Sequence, residues 1–261
     1  MRNVAALSGL LLMAAAAGGA DWPCWRGPDH NGISPETGWL TQWPQAGPPS
    51  AWKTKVGLGF AALSVKDGLC YTTGNADEKD TVFCFDAVTG KEVWKHSYDA
   101  PLGDLYFQGG TTSTPTVHAG KLYQLSRWGD LFCLDAAKGK VLWSRQIAKE
   151  DKLPVPTWGF ASAPRIHEKL VLLNVGKAGM ALDKDTGKIV WMSDKEESGY
   201  STPVLFQREG ATFALVSSGK AFAAVDVHTG KPLWDVRWVS RYGVYAADPI
   251  VAGSLVFLSS G

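Results

Sequence analysis

The chain has 261 residues, 45% of them hydrophobic, and a net charge of +1. That hydrophobic content supports a sizeable core, and the near-neutral balance excludes the basic footprint of a nucleic-acid binder. No acidic or basic run stands out, so a charged tail is excluded as well.

Residues 1–20 read as a secretory signal. Arg2 supplies the positive start, Leu10 to Ala17 the apolar core, and Gly18-Gly19-Ala20 a small-residue cleavage site before Asp21. The apolar core is shorter than the ~20 residues a membrane-spanning helix needs. Its removal takes Arg2 with it and leaves 25 basic and 25 acidic side chains. Cys24 lies three residues beyond the position a lipid anchor would require, so a soluble exported protein is expected, periplasmic or secreted. Residues 21–50, beginning Asp21-Trp22-Pro23-Cys24-Trp25-Arg26-Gly27-Pro28, are dense in Trp, Pro and Gly without a regular period. They read as an irregular arm lying against the surface.

From Ala51 onwards a unit repeats. Phe83-Cys84-Phe85-Asp86 leads through Gly90-Lys91 to Trp94, and the same pattern runs Asp135, Gly139, Trp143, then Asp183, Gly187, Trp191, then Asp226, Gly230, Trp234. All four copies keep Asp-x3-Gly-Lys-x2-Trp, and the tryptophans step by 49, 48 and 43 residues. Such a period marks a repeat architecture and one continuous domain over 51–261. The Asp bonds backbone amides two residues on and opens a turn; the Gly closes it at positive φ. The Trp is expected to pack between units, because one small sheet cannot bury it.

Pro115, Pro164 and Pro203 mark the first strands of three units and Pro249 opens a fifth, positions that suit a residue without an N–H. First turns follow at Lys66-Asp67-Gly68, His118-Ala119-Gly120, His167-Glu168-Lys169 and Gln207-Arg208-Glu209-Gly210. The fold class predicted is all-β: a β-propeller of four-stranded antiparallel blades. The ring is incomplete, with four full blades plus parts of two others. Those parts are the last strand at Ala51 to Val56 and the first two strands at Ala247 to Val251 and Leu255 to Ser259. A ring of about eight blades would lack roughly three, and those missing C-terminal blades are needed to close it.

Cys70 and Cys84 flank one hairpin, which leaves open a bridge or two buried thiols; Cys84 and Cys133 occupy equivalent positions and should not meet. Asp77-Glu78-Lys79-Asp80 reads as a solvated hairpin loop. His118 and His167 lie in equivalent turns of adjacent units, too far apart to share an ion, and no His/Cys set has zinc spacing. No metal is expected. Neither Gly-x-Ser-x-Gly, His-Glu-x-x-His nor a phosphate loop occurs, so no catalytic residue is assigned.

The repeated hairpin, with Ser/Thr-x-Pro or a near variant marking first strands, resembles the repeat of the pyrroloquinoline-quinone (PQQ)-like β-propeller superfamily over about residues 51–261. The start of the arm resembles the mature N-terminus of its exported bacterial members. One branch holds quinoprotein dehydrogenases, whose PQQ and Ca²⁺ sit in the ring centre beside a disulfide of adjacent cysteines. This sequence has no Cys-Cys pair and no acidic cluster that matches a Ca²⁺ site. The other branch resembles outer membrane assembly factors, non-catalytic scaffolds that bind partner proteins.

The loops joining one blade's outer strand to the next blade's inner strand converge on one face. They carry Tyr106, Phe107, Trp158, Tyr200, Arg241, Tyr242 and Tyr245, with Asp248 just inside the fifth unit. Aromatic residues and an arginine gathered on one face suit recognition of a ligand or protein, while their plainer role is to seal the ring. The leading expectation is therefore a non-enzymatic binding or scaffolding module of the envelope, with no cofactor and no nucleic-acid partner. The alternative is a PQQ- and Ca²⁺-dependent oxidoreductase of alcohols or sugars, and polysaccharide binding stays open.

Overall fold

The computed structural model describes residues 19–38, 40–105, 107–240 and 242–260. Four antiparallel sheets follow one another along the chain, each a four-stranded meander with its strands in sequence order. Blade 1 comprises β1 (Ser64–Lys66), β2 (Leu69–Ala76), β3 (Lys79–Asp86) and β4 (Glu92–Asp99). Blade 2 comprises β5 (Thr116–His118), β6 (Lys121–Leu125), β7 (Asp130–Asp135) and β8 (Val141–Gln146), and a one-turn helix α1 (Ile147–Glu150) follows it. Blade 3 holds β9 (Arg165–His167), β10 (Leu170–Leu173), β11 (Met180–Asp183) and β12 (Ile189–Met192). Blade 4 holds β13 (Val204–Arg208), β14 (Ala211–Ser217), β15 (Ala221–Asp226) and β16 (Pro232–Arg237). A two-stranded sheet, β17 (Ile250–Ala252) and β18 (Leu255–Phe257), opens a fifth. This is an incomplete propeller.

The expected strand at Ala51 to Val56 is not formed. A strand is defined by its ladder, and although Val56 lies against Gly74 of β2, the first bridge to β2 comes only at Leu58, paired with Asn75. Trp52 nevertheless docks as the repeat requires, which defines the join between units. A β-carbon on Gly90 would lie 2.4 Å from the Trp52 ring; on Gly139, 2.6 Å from Trp94; on Gly187, 2.7 Å from Trp143; on Gly230, 2.6 Å from Trp191. Each of these glycines has φ close to +70°. The glycine of one hairpin thus answers two demands, the left-handed turn and the indole of the preceding unit. The indole N–H then donates to the hairpin's own carbonyl: Trp52 to Ala87 at 3.0 Å, Trp94 to Ala136 at 2.9 Å, Trp143 to Lys184 at 3.0 Å and Trp191 to Val227 at 2.8 Å.

The turn itself is held by the aspartate. Asp86 Oδ1 accepts from the amides of Val88 and Thr89 and from the Thr89 hydroxyl, and Asp183 and Asp226 make the same three contacts. Each third strand shifts register against the fourth at the same place: Cys84/Phe85, Cys133/Leu134, Ala181/Leu182 and Ala224/Val225. This repeated bulge turns the fourth strand toward the next blade.

The core lies between blades. Tyr71, Val82, Cys84 and Trp94 pack against Val117, Leu122 and Leu134 of blade 2. Tyr123, Leu131 and Cys133 meet Val171, Met180 and Leu182 of blade 3, and Leu172 and Ala181 meet Ala214, Val216 and Val225 of blade 4. All four cysteines are free and buried. Cys70 pairs with Phe85 and Cys84 with Tyr71, so the two sulfurs point to opposite faces of the sheet and cannot bridge.

Around the axis the Ser/Thr-x-Pro segments lace together. Thr116 Oγ1 donates to the Pro164 carbonyl at 2.7 Å, Ser113 Oγ to that of Ser162 at 2.9 Å, and the Ala62 amide to Thr114 Oγ1 at 3.0 Å. Hydroxyl residues recur at the first strand because each reaches the backbone of a neighbouring unit, the next one for Ser113 and Thr116 and the preceding one for Thr114 and Thr202.

Candidate functional site

Two faces of the propeller differ in chemistry. First turns and Asp…Gly hairpins share one face, where Ala87 N donates to the Gly68 carbonyl and Ala136 N to that of Gly120, both at 2.9 Å. The opposite face carries the loops between blades and the middle hairpins, bonded at Ala100 N to Glu78 O (2.9 Å) and Ile147 N to Gly129 O (2.8 Å). The residues expected at a binding site belong to this second face.

Tyr106 and Arg241 lie outside the described residues. Phe107, Trp158 and Tyr200 come together. Phe107 packs edge-on to Trp158 with ring centres 5.8 Å apart, and 5.6 Å from Phe60. The Tyr200 hydroxyl accepts the Trp158 amide at 3.4 Å. Trp158 and the exposed Tyr242 line an open apolar groove of about 700 Å³ with Thr157 and Val244. Tyr245 is not part of this surface. It is fully buried edge-on against Phe222, and its hydroxyl donates to the Trp238 carbonyl. An apolar ring in a loop near the axis is drawn inward wherever a neighbouring blade offers core.

Beneath the aromatic group lies Arg127, 3% exposed. Its guanidinium donates to the carbonyls of Leu102, Gly110 and Trp158 and covers the Phe107 ring at 5.0 Å. It sits in a middle hairpin, and those hairpins share the face with the interblade loops. Alternation of hairpins along the meander is the signal that points to it.

Asp80 corrects the reading of 77–80 as a solvated loop. Asp77 to Lys79 are exposed, but Asp80 is only 1% exposed. Alternation along β3 turns it inward, where Asn75 Nδ2 donates to it at 2.7 Å. Burial pushes its carboxyl up to about 6 against that hydrogen bond and the nearby Arg127.

The arm enters the ring from its inner edge. Trp22 exchanges two 2.8 Å backbone hydrogen bonds with Val65 of β1, and the Val117 amide of β5 donates to the Pro23 carbonyl at 2.7 Å. Asp21 bonds Lys66 Nζ at 2.6 Å. Across the axis, Trp25 Nε1 donates to Asp248 Oδ2 at 2.7 Å, with the Arg26 guanidinium 3.8 Å away. Asp248 also accepts the Thr202 amide at 2.7 Å. Burial raises its pKa while these donors lower it.

A cavity of about 240 Å³ separates the arm from blades 3, 4 and 5, lined among others by Trp25, Arg26, His30, Arg165 and Asp248. Burial works against the Arg165 charge, and its Nε has no hydrogen-bond partner among the described residues. The cavity lining thus offers two guanidinium groups, with the largely buried Asp248 carboxylate already committed to Trp25 and Thr202. Calcium takes six to eight oxygen ligands, and the described residues bring no such set to the axis. They do offer guanidinium groups suited to a carboxylate-bearing ligand.

No helix among the described residues is long and apolar enough to cross a membrane. The expected signal segment falls almost wholly outside the described residues.

The family model described as outer membrane protein assembly factor BamB matches residues 78–261. A polyvinylalcohol dehydrogenase of a Pseudomonas species is 26% identical over 242 residues, covering 70% of this chain and 35% of that protein. The solved quinohemoprotein alcohol dehydrogenase ADH IIG of Pseudomonas putida HK5 superposes with a TM-score of 0.54 at 20% identity, covering 74% of this chain and 36% of the other. BamB of Moraxella catarrhalis superposes with a TM-score of 0.51 at 18% identity, covering 76% and 53%. The chain spans well under half the length of the dehydrogenases it matches, from 18% to 35% in three of them. With four matching blades and a family model covering most of its length, this chain belongs to the BamB-described family of PQQ-like repeat propellers.

Proposed function

We propose that the protein is a propeller of the quinoprotein kind, an envelope oxidoreductase of alcohols that works with PQQ and Ca²⁺. The observation that carries this reading is the recurrence of quinone alcohol dehydrogenases among the relatives, one of Gluconobacter oxydans at 30% identity over 76% of the chain and one of Thauera butanivorans at 29% over 49%. Under it the described residues build the channel wall. Arg26 and Arg165 would face the carboxylates of the quinone, and Trp25 would close the channel from the arm side. The bound quinone would supply two-electron oxidation chemistry. The Ca²⁺ ligand set is not found among the described residues, so no step through the metal is derived.

A second reading, a binding or scaffolding module, is favoured by one observation: the arm itself occupies the axis, with Trp25 and Arg26 on Asp248. Reduction of an electron-accepting dye separates the two. The protein is incubated with PQQ and Ca²⁺ and offered primary alcohols. Dye reduction that depends on both PQQ and alcohol supports the oxidoreductase. Its absence in folded protein that has taken up PQQ sinks that reading in favour of the module.

A further inference from the structure

The face that carries the first turns and Asp…Gly hairpins holds a cluster that none of the functional readings uses. His167 and Glu168 form the first turn of blade 3, and His228 follows the turn aspartate of blade 4 by two residues. One ligand atom from each lies within 4.8 Å of the other two. Glu168 Oε1 is 3.9 Å from His167 Nε2, and Glu168 Oε2 is 3.9 Å from His228 Nε2. Sequence reasoning looked for the partner of His167 at His118, the equivalent turn. The propeller instead brings each first turn to the hairpin of the following blade.

We propose that His167, Glu168 and His228 form a divalent transition-metal site, best matched to Zn²⁺, that clips blade 3 to blade 4. The His167 Nε2 atom is shielded from solvent and has no hydrogen-bond partner among the described residues, so a buried lone pair or N–H is left unsatisfied without a ligand. Two imidazoles and one carboxylate suit zinc and its first-row neighbours and do not suit calcium or magnesium.

Metal–ligand bonds of about 2.0–2.2 Å place tetrahedral donors about 3.4 Å apart. Contraction from the observed spacing needs movement chiefly of Glu168 and His228, whose side chains are 64% and 52% exposed. The turn is already fixed: Lys184 Nζ donates to the Glu168 carbonyl and the Lys184 amide to that of Lys169. The same join one blade earlier is already a polar clip. There Lys121, which opens β6, bonds Asp185 at 2.6 Å, and Asp185 holds in its hairpin the place His228 holds in the next. Three protein ligands leave a fourth position for water.

The test is competition for Zn²⁺ against a chromogenic chelator with metal-stripped protein. One equivalent is expected to bind, with affinity falling at least about tenfold in His228→Ala and in Glu168→Gln. His118→Ala should bind as the parent does. Zinc should also raise the melting temperature of the parent and leave that of His228→Ala unmoved. Circular dichroism and melting without metal establish that each variant folds. Parent protein that binds zinc no more tightly than a His167→Ala/His228→Ala double variant overturns the proposal. So does equal loss in His118→Ala.

Discussion

Substitution of Gly139 by alanine isolates the join between blades 1 and 2. At this position φ is +68°, and an added β-carbon would stand 2.6 Å from two atoms of the Trp94 ring. The left-handed backbone alone costs an alanine about 1–2 kcal/mol. Trp94 is 9% exposed, packs in the interblade core, and donates to the Ala136 carbonyl. It must shift to make room, loosening a hydrogen bond worth about 1 kcal/mol and contacts that overpacking typically weakens by about 1–3 kcal/mol. The expected total is about 3–6 kcal/mol. Gly120→Ala is the control, because Gly120 has φ of +74° but no atom within 4 Å of the added β-carbon. It should lose only the backbone share, about 1–2 kcal/mol. Urea unfolding followed by tryptophan fluorescence and far-UV dichroism measures both variants. Losses for the two that agree within about 0.5 kcal/mol would refute the claim that the glycine serves the neighbouring blade's tryptophan.

Asp80 gives a pH-dependent expectation. Its carboxyl titrates at about 6 in the fold and at about 3.9 when unfolded, so the native state binds the extra proton between those values and stability falls as pH rises through them. A shift of about two units corresponds to about 3 kcal/mol. Asp80→Asn should therefore be more stable than the parent at pH 7.5, by up to that amount, and indistinguishable at pH 4; equal urea midpoints at both pH values would contradict this. Asp248→Ala strands the Trp25 N–H and the Thr202 amide, at about 1–3 kcal/mol. It should loosen the arm beyond the part bonded to β1 and β5, so limited proteolysis between residues 26 and 50 should quicken; an unchanged rate would contradict a role for Asp248 in holding it.

Much of the fold was legible because the repeat states its own turn chemistry. Asp86, Asp183 and Asp226 cap their hairpins by local bonds two and three residues on, and such bonds are written in short-range spacing. The role of Gly90, Gly139, Gly187 and Gly230 was only half legible. Positive φ follows from the turn, but contact with the previous unit's indole belongs to the stacking of blades. Trp52 shows the same division, since it keeps its docking contact where no strand forms around it.

At the candidate site, loop topology put Phe107, Trp158 and Tyr200 on one face, and the structure brings them into one group. Tyr245 is buried against Phe222 instead, which fits the sealing role that the loops also allowed. Arg127 was passed over and Asp80 read as solvated because charged residues in hairpins are usually exposed, and only the packed structure shows them facing inward. The contact between Trp25 and Asp248 spans 223 residues. The arm has no period from which its path across the axis could be read. The expectation that led with a non-enzymatic role gave most weight to the missing Cys-Cys pair. Similarity to a quinone alcohol dehydrogenase over 76% of the chain now weighs against that lean.

The most direct test of the quinoprotein reading is a titration of the protein with PQQ, with and without Ca²⁺, followed by quenching of tryptophan fluorescence. With Trp25 lining the axial cavity, the account predicts saturable quenching at one equivalent, tightened by Ca²⁺ and weakened by Arg165→Met. Folded protein whose fluorescence is unmoved by PQQ at any Ca²⁺ concentration would contradict it.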